Sequence, residues 1–264
     1  MPKRAHDYLR SEEVVPLLQA LAPRWRPLFA TAIYTGLRKG ELLGLRKSDV
    51  DLAARQVAVA RSYDHETTKS GRARVVPIAS ELVPYLETAI ALSPSPLLFP
   101  ADDGSMMRPD VALESVLRRA MGRAGIVTGW QHVCRRKGCR HREAAPNAAL
   151  RRCPGDGRKL WLKPEVRRLR FHDLRHGTAS LPMMAGANPA AVQRILGHSN
   201  PAITTGVYGH LAPNYLLAEV DRLAFGVEPP AIVERPNATN HVANLPPFVP
   251  ELPRRQERAR IQRK

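Results

Sequence analysis

Apolar residues recur along much of the chain at the three- and four-residue intervals of an amphipathic helix. Residues 112–123 carry five of them on one face, and a second such face follows Pro27. Gly36 is placed to end that second helix, because glycine adopts the left-handed backbone of a helix C-terminus at little cost. Further helices are predicted at 11–21, 38–43, from 172 onward, 188–197 and 214–223.

Individual residues mark where these helices begin, bend and end. Ser11 is a predicted N-cap, and Asn188 followed by Pro189 is a second helix start, with Gly197 just beyond its end. Pro182 falls inside the helix that starts near residue 172, where its missing N–H predicts a kink at about 178–181.

Two short strands, Gln56–Ala60 and Arg74–Ile78, are predicted on either side of a turn-rich link. The expected fold class is therefore α+β, predominantly α-helical, with a small antiparallel β-sheet. Residues 128–168 lack a sustained period, are rich in Cys, Arg and turn residues, and are expected to be an insertion. Residues 226–264 hold seven prolines and then a charged end, which predicts a disordered, basic tail.

The chain has 264 residues and a formal net charge of +17, and that charge is unevenly placed. Residues 131–170 contain 13 Lys or Arg against three acids, and residues 251–264 contain six against two. A charge run is often only a solvated face, but one sign dominates here, which favours a nucleic-acid partner. The longest apolar stretch is the seven residues Leu28–Tyr34, far too short to span a membrane. With no apolar signal segment and three cysteines, a reducing cytoplasm is expected.

Four segments carry residue types suited to chemistry on phosphate. They are Thr35-Gly-Leu-Arg-Lys-Gly-Glu41, Thr67-Thr-Lys-Ser-Gly-Arg72, Phe171-His-Asp-Leu-Arg-His176, and Leu196-Gly-His-Ser199 running on to Tyr208-Gly-His-Leu211. Each alone has an ordinary explanation: an intrahelical ion pair, a surface pair, or a tyrosine that only packs. Their joint occurrence in this order is much more specific.

Together these segments closely resemble the catalytic domain of the tyrosine recombinases, the phage-type integrases, over residues 1–225 apart from the 128–168 insertion. The resemblance implies DNA breakage and rejoining, with no cofactor, by a homotetramer on double-stranded DNA in a bacterial cytoplasm. The catalytic residues that it implies are Arg38, Lys69, His172, Arg175, His198 and Tyr208, with Glu41, His176 and His210 in support. Lys69 is open to question because Arg72 and Arg74 lie in the same basic turn, and Glu41 could be a plain surface acid.

The chemistry explains these residue types. Attack on a phosphodiester builds negative charge on the non-bridging oxygens. The guanidinium groups of Arg38 and Arg175 would each bind these oxygens through two parallel N–H donors. A phenol with a pKa near 10 needs activation, so His172 is the expected base or orienting group for Tyr208. Lys69 would protonate the departing 5′ oxygen, and His198 would hydrogen-bond the phosphate. The energy of the broken phosphodiester bond is conserved in a 3′-phosphotyrosyl bond.

Two departures from the family pattern are visible. The N-terminal helical domain that usually closes the clamp on DNA is expected to be missing. That leaves open a catalytically silent DNA-binding remnant, and a type IB topoisomerase is a further alternative. In the insertion, Cys134, Cys139 and Cys153 resemble a zinc knuckle in which Asp156 takes the fourth position. His132 or His141 could serve instead, or the site could be decayed with free thiols.

Overall fold

In a computed structural model of this chain, the described residues are 7–63, 65, 67 and 73–197. They contain α1 (Ser11–Ala20), α2 (Arg26–Thr35), α3 (Lys39–Leu43), α4 (Val83–Leu92), α5 (Leu113–Arg123), α6 (Asp173–Met184) and α7 (Pro189–Leu196). The strands are β1 (Val50–Asp51), β2 (Gln56–Val59), β3 (Arg74–Pro77), β4 (Val127–Val133), β5 (Arg142–Ala145) and β6 (Trp161–Val166). Within the described ranges, no helix has the length and apolar character needed to cross a membrane.

The strands form two separate antiparallel sheets. In the first, the order is β1-β2-β3, and Val57 of β2 lies opposite Val76 of β3. In the second, the order is β5-β4-β6, and His132 of β4 pairs with Glu143 on one side and Leu162 on the other. The second sheet is built entirely from the Cys- and Arg-rich segment, and it is called the insertion sheet below.

Helix α2 lies at the centre of the main hydrophobic core. It packs against α1, α4 and α6, and Phe29 on it is fully buried. The Phe29 ring meets the ring of Phe171 edge to face, with 5.2 Å between centroids. Burying a side chain of that size contributes about 1.5–3 kcal/mol. The contact places the start of α6, and with it the His-x-x-Arg motif, next to the end of α2.

The mixed helical fold with small antiparallel sheets is confirmed, and so are several helix ends. Gly36 follows α2 with φ +62°. The Asn188 side chain accepts a hydrogen bond from the Ala190 N–H, and Gly197 follows α7 with φ +65°. The hydrophobic period of residues 112–123 corresponds to α5. These features depend on local backbone chemistry, which the chain specifies over a few residues.

Other expectations differ from the structure. Ser11 is the first residue of α1 and not its N-cap, which is Arg10; the Glu13 carboxylate accepts from the Arg10 N–H at 2.9 Å. Pro182 lies inside α6, which runs from Asp173 to Met184, and a bend of the helix at 178–181 stays a prediction. Helix α4 and the strands of the insertion sheet were not predicted. The expected helix at 214–223 and the tail at 226–264 lie outside the described residues.

Candidate active site

Arg38 and Glu41 are joined by the local geometry at the start of α3. Arg38 is the N-cap, and its backbone N–H donates to Glu41 Oε2 at 2.9 Å. The Arg38 guanidinium also donates to Glu41 Oε1 at 2.9 Å. The Glu41 side chain is only 1% exposed, whereas that of Arg38 is 27% exposed. Glu41 is therefore a buried positioning group and not a surface acid, and Arg38 keeps a face towards solvent.

A second arginine, Arg74 of β3, holds the same carboxylate. Its guanidinium donates to Glu41 Oε1 at 2.9 Å and to Oε2 at 2.7 Å, a bidentate arrangement. From the sequence, Arg74 was only a basic neighbour that left the assignment of Lys69 open. A signal was present, because in a strand Arg74 shares a face with Val76, which is fully buried. A charged residue on the buried face of a strand requires a partner.

The carboxyl group of Glu41 is held in its charged form. Burial alone would raise its pKa, but hydrogen bonding and charge from Arg74, with Arg38, outweigh burial and lower the pKa below its usual value. Two guanidinium groups therefore share one carboxylate, which leaves this cluster with a net positive charge. Such a cluster attracts an anion to its exposed edge.

Arg175 of α6 ties together the ends of two other helices. It is buried, and its guanidinium donates to the carbonyl of Gly36 at 2.6 Å and to the carbonyl of Leu196. These carbonyls lie at the C-terminal ends of α2 and α7, where the helix dipole favours a cation. Arg74 reaches the same end of α7 through a 3.2 Å bond to the Ile195 carbonyl. The two arginines together hold the C-terminal end of α7.

His172 lies immediately before α6 and is surrounded by positive charge. Partial burial is the largest cause that lowers its pKa below the usual value, and the charges of Arg175 and Arg38 add to the effect. Its ring meets that of His176 edge to face, at 5.7 Å between centroids. The structure thus brings together Arg38, His172 and Arg175, which come from widely separated segments.

Asp173, a residue of the motif that received no role from sequence, fixes the start of α6. It is 3% exposed, and its carboxylate accepts from the Arg170 N–H at 2.8 Å and from the Arg170 guanidinium at 2.8 Å. Burial raises the pKa of this carboxyl, but the bonds from Arg170 more than offset that, so the pKa is lowered. The turn that presents His172 is therefore held by the buried carboxylate of Asp173, which pairs with the exposed guanidinium of Arg170.

Four predicted site residues, Lys69, His198, Tyr208 and His210, lie outside the described residues. The last described residue, Gly197, comes directly before His198 in the chain. A Cβ atom on Gly197 would lie 2.8 Å from Cδ of Arg74, and its φ of +65° is unfavourable for other residues. The end of α7 therefore lies directly against the Arg74 side chain.

The predicted metal residues lie at one end of the insertion sheet. The sulfur atoms of Cys134, Cys139 and Cys153 are all within 4.8 Å of one another. Asp156 Oδ2 is 3.7 Å from the Cys134 sulfur. The two histidines weighed as ligands have other neighbours: His132 Nε2 is 3.3 Å from the Asn147 carbonyl, and His141 Nε2 is 3.6 Å from a Glu143 oxygen.

A large basic cleft separates α5 from the insertion sheet. Its volume is about 1620 Å³, and seven Lys or Arg residues line it against three acids. Arg118, Arg119 and Arg123 line it from α5, while Lys163, Arg167, Arg168 and Arg170 line it from β6 and the segment that follows. The sequence predicts a basic stretch at residues 131–170; four of its cationic residues line this cleft, together with three arginines from α5.

Comparison with known proteins identifies the family. The profile of the phage integrase family matches residues 7–214. The XerC-like tyrosine recombinase of Caldanaerobacter subterraneus is 26% identical over 234 residues, covering 80% of this chain and 52% of that protein. Tyrosine recombinase XerA of Thermococcus onnurineus is 28% identical over 223 residues, covering 82% of this chain and 62% of its own length. The chain thus spans about half to three fifths of these relatives.

Solved structures show the same fold. A crystal structure of XerA recombinase is similar with a TM-score of 0.56 and 23% identity, covering 84% of this chain and 66% of that one. The Tn1549 transposon integrase in complex with circular intermediate DNA is similar with a TM-score of 0.61 and 19% identity, covering 84% and 67%. This chain therefore belongs to the phage integrase family and has the fold of a tyrosine recombinase catalytic domain.

Proposed function

We propose that this protein breaks and rejoins duplex DNA at specific sites through a covalent bond between Tyr208 and the 3′ phosphate. The observation that carries the proposal is the convergence of Arg38, His172 and Arg175 around the buried Glu41–Arg74 pair. A structural ion pair would not require a second, partly exposed arginine and a histidine at the same place. A site for a phosphate requires both.

The positive charge of the site suits the transition state. As the tyrosine oxygen bonds to phosphorus and the bond to the 5′ oxygen breaks, negative charge grows on the non-bridging oxygens. Arg38 and Arg175 supply paired N–H donors for those oxygens. Their orientation is set before DNA arrives, by Glu41 for Arg38 and by two helix-end carbonyls for Arg175. Preorganised charge stabilises the transition state without reorganisation during the reaction.

Proton transfer completes the reaction. The lowered pKa keeps His172 neutral at neutral pH, so it is able to accept the phenol proton of Tyr208 or to orient that phenol. Lys69 donates a proton to the departing 5′ oxygen, and His198 donates a hydrogen bond to the phosphate. His176 and His210 support the site. A 5′ hydroxyl of a second strand then attacks the phosphotyrosine, which restores the tyrosine and needs no nucleotide cofactor.

Double-stranded DNA is the proposed partner, in a homotetramer that acts within a bacterial cytoplasm. The basic cleft supports DNA binding, because cationic side chains outnumber acidic ones by seven to three on one concave surface, and the excess would replace counterions along a phosphate backbone. The proposed organisation is a catalytic domain at 1–225, interrupted by the insertion at 128–168, and a basic tail at 226–264.

The test is the covalent adduct itself. A nicked substrate carrying the ends of the mobile element would be mixed with the full chain, with EDTA added just before the DNA, and run on a denaturing gel. We expect an adduct with the wild type and none with Tyr208→Phe. The matched control is Tyr85→Phe on α4, away from the site, which should form the adduct at the wild-type rate.

Two other outcomes would replace the proposal. If no chain forms an adduct while all shift DNA on a native gel, the protein is a DNA-binding remnant without cleavage activity. If supercoiled plasmid is relaxed and no strands are exchanged between duplexes, the reaction is that of a type IB topoisomerase, which uses the same phosphotyrosine chemistry.

A further inference from the structure

The insertion sheet has very little apolar core of its own. The buried cluster at its end consists of Cys134, Cys153 and Leu160, with Cys139 packed against them. The main core, by contrast, is a continuous cluster that extends through all helices from α1 to α5. A small sheet with so few fully buried side chains needs additional stabilisation, which natural small domains obtain from disulfides or metal ions.

The sulfur atoms have the spacing of metal ligands. Cys139 Sγ and Cys153 Sγ are 3.7 Å apart, far beyond the length of a disulfide, and the three cysteines are free. Tetrahedral zinc with Zn–S bonds of about 2.3 Å separates its sulfur ligands by about 3.8 Å. Thiolate ligands in tetrahedral arrangement select zinc over the hard cations that prefer oxygen.

The Asp156 carboxylate lies beside the three sulfur atoms, next to that of Cys134. Its side chain is 5% exposed, and Oδ2 is 3.7 Å from the Cys134 sulfur. A carboxylate oxygen and a thiolate on the same tetrahedral zinc would be separated by about 3.6 Å. The other oxygen, Oδ1, accepts from the Arg158 N–H at 3.1 Å, which holds the carboxylate in this orientation. Arg136 approaches Oδ2 only to 3.9 Å.

Two tight turns present the ligands from opposite sides. In the first, the Cys139 N–H donates to the Arg136 carbonyl, and Gly138 has φ +86°. In the second, the Gly157 N–H donates to the Cys153 carbonyl, and Gly157 has φ +69°. The two turns fix the backbone that carries Cys139 and Cys153.

From this geometry we infer that Cys134, Cys139, Cys153 and Asp156 bind a structural zinc ion that closes the end of the insertion sheet. Four protein ligands leave no open position, so the ion has no part in DNA cleavage. The four ligands carry more negative charge than zinc neutralises, and the cationic side chains of this loop, including Arg136, compensate for it. The ion fixes the loop that carries Arg135, whose guanidinium stacks on Trp161 at 3.3 Å from the ring centroid.

The first experiment is a metal analysis of the full chain, purified without chelator or affinity metal. We expect about one zinc ion per chain, measured by inductively coupled plasma mass spectrometry. Replacement by Co²⁺ should give the intense visible absorption of tetrahedral cobalt together with a thiolate-to-cobalt charge-transfer band. Less than a tenth of that zinc content, with no cobalt spectrum on titration, would overturn the inference.

Variants test the ligand set. Cys153→Ser should lose the zinc, and Asp156→Asn should bind it more weakly by about 10-fold to 100-fold. Asp156→Cys should bind zinc at least as tightly as the wild type, because a thiolate then takes the place of the carboxylate. Zinc binding by this variant would show that a substitution at position 156 does not remove the metal simply by unfolding the sheet. His141→Gln and Glu143→Gln are the matched controls and should retain full zinc. Loss of zinc in His141→Gln but not in Asp156→Asn would overturn the assignment of Asp156.

The zinc inference does not depend on the proposed function. Metal content and the cobalt spectrum are measured without DNA, whereas the Tyr208 adduct is measured with it. A protein that binds zinc and forms no adduct would refute the cleavage proposal alone, and an active protein with three reactive thiols and no zinc would refute the metal site alone.

Discussion

The helical core and the insertion sheet keep their structure by different means. The core buries large side chains such as Phe29, Leu42 and Leu86 completely and encloses the Glu41–Arg74 ion pair. The insertion sheet buries few groups at its end, of which two are Cys134 and Cys153. In the core many contacts support each residue, whereas in the insertion sheet a few side chains support all three strands.

This difference shows where an ion pair and, in our proposal, a metal ion substitute for packing. The core tolerates a buried carboxylate because two guanidinium groups neutralise it. The insertion sheet faces the basic cleft and has cationic residues where another sheet would place apolar ones. Its folded structure must therefore be stabilised by interactions other than an apolar core. The two regions should therefore respond differently to loss of charge, loss of metal and backbone strain.

The largest expected effect is in the core. Glu41→Gln keeps the shape of the side chain but leaves the buried guanidinium of Arg74 without a counter-charge. We expect the free energy of unfolding to fall by about 3–5 kcal/mol, measured by urea denaturation. The control, Asp110→Asn, breaks the exposed pair with Arg108 and should cost less than about 1 kcal/mol. Similar small losses for both variants would contradict a structural role for the Glu41 pair.

The next effect belongs to the insertion sheet. Removal of zinc by a high-affinity chelator should lower the amide protection of β4, β5 and β6 by roughly tenfold or more, because local opening then has few contacts to break. The amides of α2 should keep their protection. Hydrogen exchange followed by mass spectrometry resolves the two regions. Equal loss of protection in both would show that they unfold together.

A smaller effect is expected from backbone strain, which two matched glycine substitutions compare. Gly138 and Gly197 both have positive φ, but an added Cβ meets nothing within 4 Å at Gly138 and meets Cδ of Arg74 at 2.8 Å at Gly197. Gly138→Ala should cost about 1 kcal/mol from backbone strain alone. Gly197→Ala should cost about 2–3 kcal/mol, because Arg74 must also shift. Thermal denaturation measures the loss of stability in each variant. Equal losses would mean that the Arg74 side chain moves aside at no energetic cost.

The smallest expected effect is the pH dependence that His172 contributes. Its folded pKa is lowered, so as pH falls below the ordinary histidine value of about 6.5 the unfolded chain binds a proton that the folded chain does not. Stability should therefore decline through that range, and less so in His172→Gln. The acid limb of adduct formation should likewise lie below pH 6.5. An unchanged slope in the variant would contradict the lowered pKa.

Much of the core was predictable because its signals are local. The hydrophobic period of α5, glycine after α2 and the Asn-Pro start of α7 each involve a few neighbouring residues. The insertion sheet was not predictable in the same way, since few of its side chains are fully buried and the alternation of β4 is interrupted by the buried His132. Arg74 was missed because its partner, Glu41, lies in another segment of the chain.

The sequence by itself determined the family, the chemical types in the site and the cysteine pattern, because each is written in short motifs. Only the tertiary structure decided which charges meet. It paired Glu41 with Arg74, placed Arg175 at the ends of α2 and α7, and brought Asp156 rather than a histidine to a cysteine sulfur. The physical reason is that a charge or a sulfur acquires its role from neighbours within a few ångströms, and folding selects those neighbours from distant parts of the chain.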